Sequence, residues 1–390
     1  MKGMETMGKK KILISAFLLT GLAVFVCVII IKFHWERTGY VAYDTATRTY
    51  NKAKVLNIEK QELELDKTGE YLLGSQLLLV QFLEGKKKGK KTEVKNYLTA
   101  DHNILAKAGR TLVICSDIPE QGESYYTVYN YYRSANIWII AAVFLALITA
   151  IGGRKGFRSA LSLLFTLFMI ICFLLPALYK GADPVKAAVL SSSISAFVAL
   201  FLLNGVSYKT LIDVISTTLG VVIAGFFFLV LSKILIISGY QTDESEALLL
   251  ISQSTGLHIK DILYAAVLTA SLGAVMDLAV SVRASVYEVY TQNPKISGKE
   301  LFVSGMNIGR DMIGTMTNTL ILAFAGSSLM TLLVLISYGV QYEQLMSSDY
   351  LALEITQAIA GSGAVALMVP ITSLICALGY PRIKPDNMKN

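Results

Sequence analysis

Apolar runs without charge, separated by short polar connections, make up most of the chain. About 20 mostly apolar residues are needed to cross about 30 Å of hydrocarbon. Eight runs meet that condition: Ile12–Ile31, Ile137–Ile151, Ser159–Tyr179, Val185–Leu203, Leu211–Leu231, Ile262–Val282, Ile313–Ser337 and Leu351–Leu378. The second is short, and the last contains Gly361-Ser-Gly363 and Pro370, where a break in the helix is expected. The polar stretch His34–Asn136 follows a different rule. Alternation of apolar and polar residues in Lys54–Ile58, Gln76–Leu83, Thr92–Tyr97 and Thr111–Cys115, with glycines at Gly85 and Gly89, predicts strands of a small antiparallel β domain, an OB-like barrel or a sandwich. The expected fold is therefore an all-α polytopic membrane bundle of eight transmembrane helices with a small β domain. The segments are a tail and anchor helix (1–36), the β domain (37–134), a seven-helix membrane domain (135–382) and a tail (383–390).

Composition agrees with the pattern. Apolar residues are 54 % of the 390 and charged residues 16 %, a balance that a water-soluble domain does not need. The net charge of +7 does not argue for nucleic acid, because the cations near the spans segregate to one side of the membrane. With the N-terminus inside, the inner segments carry Lys9, Lys10, Lys11, Arg154, Lys155, Arg158, Lys209, Arg283, Lys295, Lys299, Arg310, Arg382 and Lys384. The short outer loops carry Lys180, Lys186, Lys233 and Lys260, together with acids such as Asp243, Glu244 and Glu343. This places both termini inside and the β domain outside. No small-x-small cleavage site follows the first span, which is read as an uncleaved anchor. The lysine-rich Gly85–Thr92 tip lacks the ending of a phosphate loop and is read as a solvated hairpin.

Catalytic signatures are missing from the sequence. There is no His-Glu-x-x-His, Gly-x-Ser-x-Gly or Cys-x-x-Cys, and the three histidines, His34, His102 and His258, lie outside the spans. No enzyme activity, metal or cofactor is expected, and the four cysteines are read as small buried hydrophobes. The polar content of the last three spans is the remaining source of chemistry, because an ionisable group in hydrocarbon costs several kcal/mol, on the order of 3, unless it faces protein or water. Asp277 lies about 15 residues, or roughly 22 Å, from the outer end of its span. Its helical face reads Ala266, Ala270, Gly273, Asp277, Ser281, Ala284 and Glu288, small residues that let a neighbouring helix approach. The expectation is an acid walled off by the next span, which offers Arg310, Asp311, Thr315, Thr317, Thr319 and Asn318. Asn318 is the expected hydrogen-bond partner of Asp277. In the last span Glu354, Gln357, Gly361 and Gly363 are candidates for a substrate path. Asp213, Lys186 and Lys233 sit near span ends and are read as snorkelling groups.

These same residues carry a resemblance. Gly273-Ala-Val-Met-Asp-Leu-Ala-Val-Ser-Val282, Asn293-Pro, Gly305-Met-Asn-Ile-Gly-Arg-Asp-Met-Ile-Gly314 and Thr315-Met-Thr-Asn-Thr-Leu320 resemble the YibE/YibF family of bacterial membrane proteins, and the long YibE-like type in particular. A weaker similarity links the last three spans to the SecD/SecF branch of RND-like permeases. In that branch a Gly-x-x-x-Asp span continues as a charged helix and a Thr-rich span follows. That likeness implies a proton-relay role for Asp277 and a pseudo-symmetric mate. The expected assembly is a homodimer or a heterodimer with a shorter YibF-like companion. Two departures stand against it: eight spans where such a half has six, and a small outer domain.

The function expected from the sequence is a proton- or ion-coupled transporter or export-associated subunit. The alternative is a non-transporting anchor or receptor whose β domain binds a partner through Tyr125, Tyr126, Tyr129, Tyr131 and Tyr132, expected as an aromatic collar at the membrane surface.

Overall fold

In the computed structural model, residues 47–119, 123–205, 207–237, 248–249, 252 and 259–382 are described. The first expected span, with Cys27 and His34, lies outside them, as does His258. Two compact units are present, one spanning Val41–Leu147 and the other containing the chain from Ile148 onward.

The β unit holds five strands: β1 (Arg48–Leu65), β2 (Leu72–Phe82), β3 (Lys91–Leu98), β4 (Thr111–Asp117) and β5 (Tyr125–Tyr131). They close in the order β1-β2-β3-β5-β4, with β3 and β5 parallel, so the expected barrel is found rather than a sandwich. Alternation fills the inside with Val55, Leu78, Val80, Phe82, Val94, Leu112, Ile114 and Val128. β1 is far longer than the alternating pattern suggested, because bulges near Val55 and Ile58 shift its register against β2 and blur the period of two. β5 was not expected as a strand. Of its tyrosines, Tyr126 and Tyr131 pack on the barrel core, while Tyr125 and Tyr129 are exposed.

Two buried amides hold the loop that runs across one end of the barrel. Asn96 donates to Gln76 (3.0 Å) and to the Ile104 carbonyl (2.7 Å), and Gln76 accepts from the Ala106 amide (3.0 Å). At the lysine tip Lys87 donates to the Tyr126 hydroxyl (2.6 Å), while Lys86, Lys88, Lys90 and Lys91 are exposed, as a solvated hairpin requires.

The helices are α1 (Ser134–Met169), which begins in the first unit and enters the second at Ile148, running through a π-helical segment (Ile170–Leu174) into α2 (Leu175–Tyr179), then α3 (Pro184–Asn204), α4 (Tyr208–Ile234), α5 (Ile259–Gln292), α6 (Gly298–Ser337), the short α7 (Tyr342–Met346) and α8 (Asp349–Gly379). Six helical stretches among the described residues are long and apolar enough to cross a membrane. The expected second and third spans share one of them, Ser134–Tyr179. It is not straight. At Gly153 the backbone takes φ 55 and ψ −133, and the chain turns so sharply that Gly156 meets the Ile148 carbonyl. Only glycine adopts that conformation without strain.

Local signals account for the other ends. Asp183 caps α3 ahead of Pro184, Ser207 caps α4, and Ser297 with Glu300 forms a reciprocal capping box on α6. Residues 293–297 separate α5 from α6. α8 is continuous through Gly361-Ser-Gly363, which corrects the expected break there. A Cβ on Gly363 would lie 3.4 Å from the Phe227 ring, so that glycine serves packing against α4. α5 and α8 form the centre of the bundle, each packed on α4, while α6 lies outside them against α8.

Candidate functional site

α5 has two contrasting faces. Its large residues, Leu268, Val275, Leu278, Val282 and Val286, are fully buried against the neighbouring helices. The small-residue face was expected to be the covered one. Instead Ala266, Ala270, Gly273, Asp277, Ala284 and Glu288 are exposed, with Ser281 half-buried. No atom lies within 4 Å of where a Cβ on Gly273 would sit. The chain's own helices therefore do not wall off Asp277, and the expectation of a sealed acid is corrected. The physical reason is that Leu and Val side chains make more van der Waals contacts with neighbouring helices than Ala and Gly, so intrachain packing takes the bulky face.

α6 runs antiparallel beside α5: a Cβ on Gly305 would lie 2.9 Å from Val286. Helical rise then sets Asp277 level with Gly314, and Asn318 lies about one turn, roughly 6 Å, further along α6. Asn318, Thr315, Arg310 and Asp311 are exposed, and Asp277 has no hydrogen-bond partner among the described residues. Thr315 and Thr319 donate to their own helix, to the Met312 (3.0 Å) and Thr315 (2.8 Å) carbonyls. Arg310 reaches Asn307 at 3.4 Å. The Thr317 hydroxyl is buried without a partner among the described residues.

On α8, Glu354 and Gln357 are half-buried, and one Glu354 carboxyl oxygen is enclosed without a partner among the described residues. Gly361 is buried, with Ser271 of α5 at 3.5 Å and Leu320 of α6 at 3.8 Å from its Cβ position. It marks where three helices approach one another.

The most developed polar constellation was missed in the sequence. Asp213 of α4 is fully buried, and Arg283 of α5 is 6 % exposed. The guanidinium grips the carboxylate with both prongs, Nε to Oδ1 and Nη2 to Oδ2, each at 2.8 Å. Asn204 adds a third bond to Oδ2 at 3.1 Å. The connection explains that placement: α3 ends at Gly205 (φ 73) and Ser207 starts α4 at once, returning Asn204 to the first turns of α4. Reading Asp213 as a snorkelling group and Arg283 as an inner-side cation treated each alone. Their 70-residue separation hides the pair, although each lies at one end of its apolar run.

Aromatic rings close the end of this pair. Tyr380, fully buried, stacks on Tyr290 and meets Tyr287 edge-on, each at 5.7 Å, and Lys209 lies 3.5 Å from the Tyr287 ring centre. Ser216, Thr217, Thr372 and Ser373 are also buried, and none of their hydroxyls has a partner among the described residues. A bidentate ion pair with unsatisfied hydroxyls nearby is an arrangement that a proton or small ion can perturb.

Residues 140–382 match the YibE/F-like protein family. The chain belongs to that family. No curated protein and no solved structure gives a match. The matched residues of this YibE/F-like protein start within α1 and include Asp213, Arg283, Asp277 and the α6 polar stripe, while the barrel strands precede them.

Proposed function

We propose that this YibE/F-like membrane protein is a permease-like subunit of the bacterial cytoplasmic membrane, coupling proton or ion movement to the passage of a solute or to export. One observation carries the reading: α5 holds an unpaired carboxylate, Asp277, six residues from the buried Arg283 that locks it to α4. Six residues are about 9 Å of helix. A charged Asp277 needs water or a polar partner on its open face, whereas its neutral form tolerates apolar cover. A change of protonation there therefore biases how α5 sits, and the Asp213–Arg283 lock is the discrete contact that such a movement makes or breaks.

The reading includes a partner. A second copy, or a shorter companion of the same family, covers the Asp277 face, and the Asn318 amide, about one helical turn away in depth, supplies a donor. Counting the turn at Gly153 as a reversal gives an odd number of crossings, seven, between residues 134 and 379, which supports the topology expected from the cation distribution.

Replacing Asp277 with Asn is the direct test. Complementation of a deletion strain, or ion flux in proteoliposomes, should be lost while membrane levels stay normal. Full activity in that variant overturns the coupling role. A receptor role for the barrel is the second reading, supported by the exposed Tyr50 and Tyr129, whose rings meet edge-on at 4.9 Å. Retention of function after removal of the chain beyond the first arm of α1 would favour it.

A further inference from the structure

The turn at Gly153 has a chemistry that the coupling reading does not use. Three cations, Arg154, Lys155 and Arg158, occupy seven exposed or turn-forming residues, and none has an acidic partner among the described residues. The local sequence cannot supply one, since no Asp or Glu occurs between Ser124 and Ala182. Arg154 and Arg158 are one helical turn apart and so share a face. With Thr149, Gly153 and Phe157 they line one open concavity of about 360 Å³. The turn at Gly153 also starts a fresh helical arm at Arg154, and the N-terminal end of a helix favours anions.

We propose that this concavity holds the phosphate of an anionic phospholipid. Two guanidiniums supply forked donors suited to phosphate oxygens. The surroundings choose the lipid over a free anion. Phe157 forms part of the wall, and Ile151 and Leu161 beside it are exposed apolar residues, so a ligand with acyl chains gains contacts that inorganic phosphate does not. Lipid-facing basic pockets of this kind are an established mode of headgroup recognition. The site fixes the depth of the turn and is independent of Asp277.

The test uses the purified full chain, delipidated and then offered phosphatidylglycerol and phosphatidylcholine in equal amounts, with retained lipid read by native mass spectrometry. The wild type should keep phosphatidylglycerol preferentially. Arg154→Gln/Arg158→Gln should lower that retention roughly tenfold, as expected for two surface cations. Lys295→Gln/Lys299→Gln removes the same charge elsewhere and should leave retention unchanged. Excess inorganic phosphate should not displace the lipid. Because removing cations can disturb insertion, Arg154→Lys/Arg158→Lys provides a second arm: the charge remains, the forks are lost, and retention should fall severalfold. Absence of preference in the wild type, equal loss in the Lys295/Lys299 variant, or displacement by inorganic phosphate would each overturn the proposal.

Discussion

The barrel and the helical bundle obey opposite rules. In the barrel, Leu78, Val80, Leu112 and Ile114 are fully enclosed, and the surface carries Lys, Glu and Asp. In the bundle the exposed residues include Ile140, Leu147, Phe226, Leu329 and Met330, while Ser191, Ser195, Asp213, Ser216, Thr217, Thr372 and Ser373 are buried. The difference teaches what each surface is matched to. Water rewards burial of apolar groups. Hydrocarbon provides no such drive, so helix association there relies on small residues, close packing and polar contacts. Asp277 departs from the second rule, an acidic residue on a face where the rest of the bundle presents hydrocarbon, and that departure is what the proposed partner would answer.

The largest expected effect breaks the polar interior. Arg283→Met leaves the Asp213 carboxylate buried and unpaired, at a cost of about 3–5 kcal/mol. Asp213→Asn/Arg283→Met removes both charges and should recover most of that stability. Unfolding of the purified protein in mixed micelles measures both. If the single and double variants are equally destabilised, the pair contributes packing rather than charge compensation. Transport loss in a stable double variant would assign the ion pair to coupling.

The next comparison separates the covered glycines from the open one. Gly305 faces Ser373 and Val286, with the nearest side-chain atoms at 2.5–2.9 Å from its Cβ position. Gly305→Leu should overpack the bundle by about 1–3 kcal/mol. Gly273 meets nothing within the chain, so Gly273→Leu should leave the unfolding of the isolated chain within about 0.5 kcal/mol of the wild type. In the assembled protein the same substitution should shift an oligomer toward monomers in native mass spectrometry. An unchanged oligomer would show that the Asp277 face is not the interface.

The two regions were also unequally legible. Four barrel strands are visible because the period of two survives where one face meets the core and the other meets water. β5 escaped because Tyr125-Tyr-Thr-Val-Tyr-Asn-Tyr131 has large side chains on both faces and no polar alternation. Apolar length located the helices, but those helices are apolar all round, so nothing in their pattern told the inner face from the outer. The small-residue stripe of α5 was consequently assigned to the inside, where Leu268 and Val275 lie instead. The Asp213–Arg283 pair needs the α4–α5 pairing to become visible, and neither residue carries a local motif. Chain turns were more legible: Ser297 with Glu300, and Asp183 before Pro184, announce helix starts by residue type.

A smaller effect, confined to the barrel, probes the hydrogen bonds made by its buried amides. Asn96→Ala removes the donors to Gln76 and to the Ile104 carbonyl, leaving a buried acceptor open, which costs about 1–3 kcal/mol. The barrel has its own enclosed core, so a fragment spanning 41–133 should fold alone, and urea unfolding of that fragment measures the change. A loss below about 0.5 kcal/mol would indicate that water replaces the amide and that the loop after β3 is held by other contacts.

The smallest effect is a pH dependence at the β1–β2 turn. The Thr68 hydroxyl, together with the Thr68, Glu70 and Tyr71 amides, donates to the Asp66 carboxylate and holds its pKa down at about 2, against an ordinary 3.8. An acid depressed by folding stabilises the folded state above its unfolded pKa, and that contribution disappears as the pH falls toward the folded value. Between about pH 4 and pH 2, therefore, the melting temperature of the wild-type fragment should fall toward that of Asp66→Asn, which keeps the shape but lacks the charge. Above pH 5 the gap between the two should be constant, since Asp66 is ionised in both folded and unfolded chains. The residue is fully exposed, so the gap is expected to be small, and its closing with acid is the diagnostic feature. A gap of the same size at every pH would mean that the turn depends on the geometry of the acceptor and not on its charge.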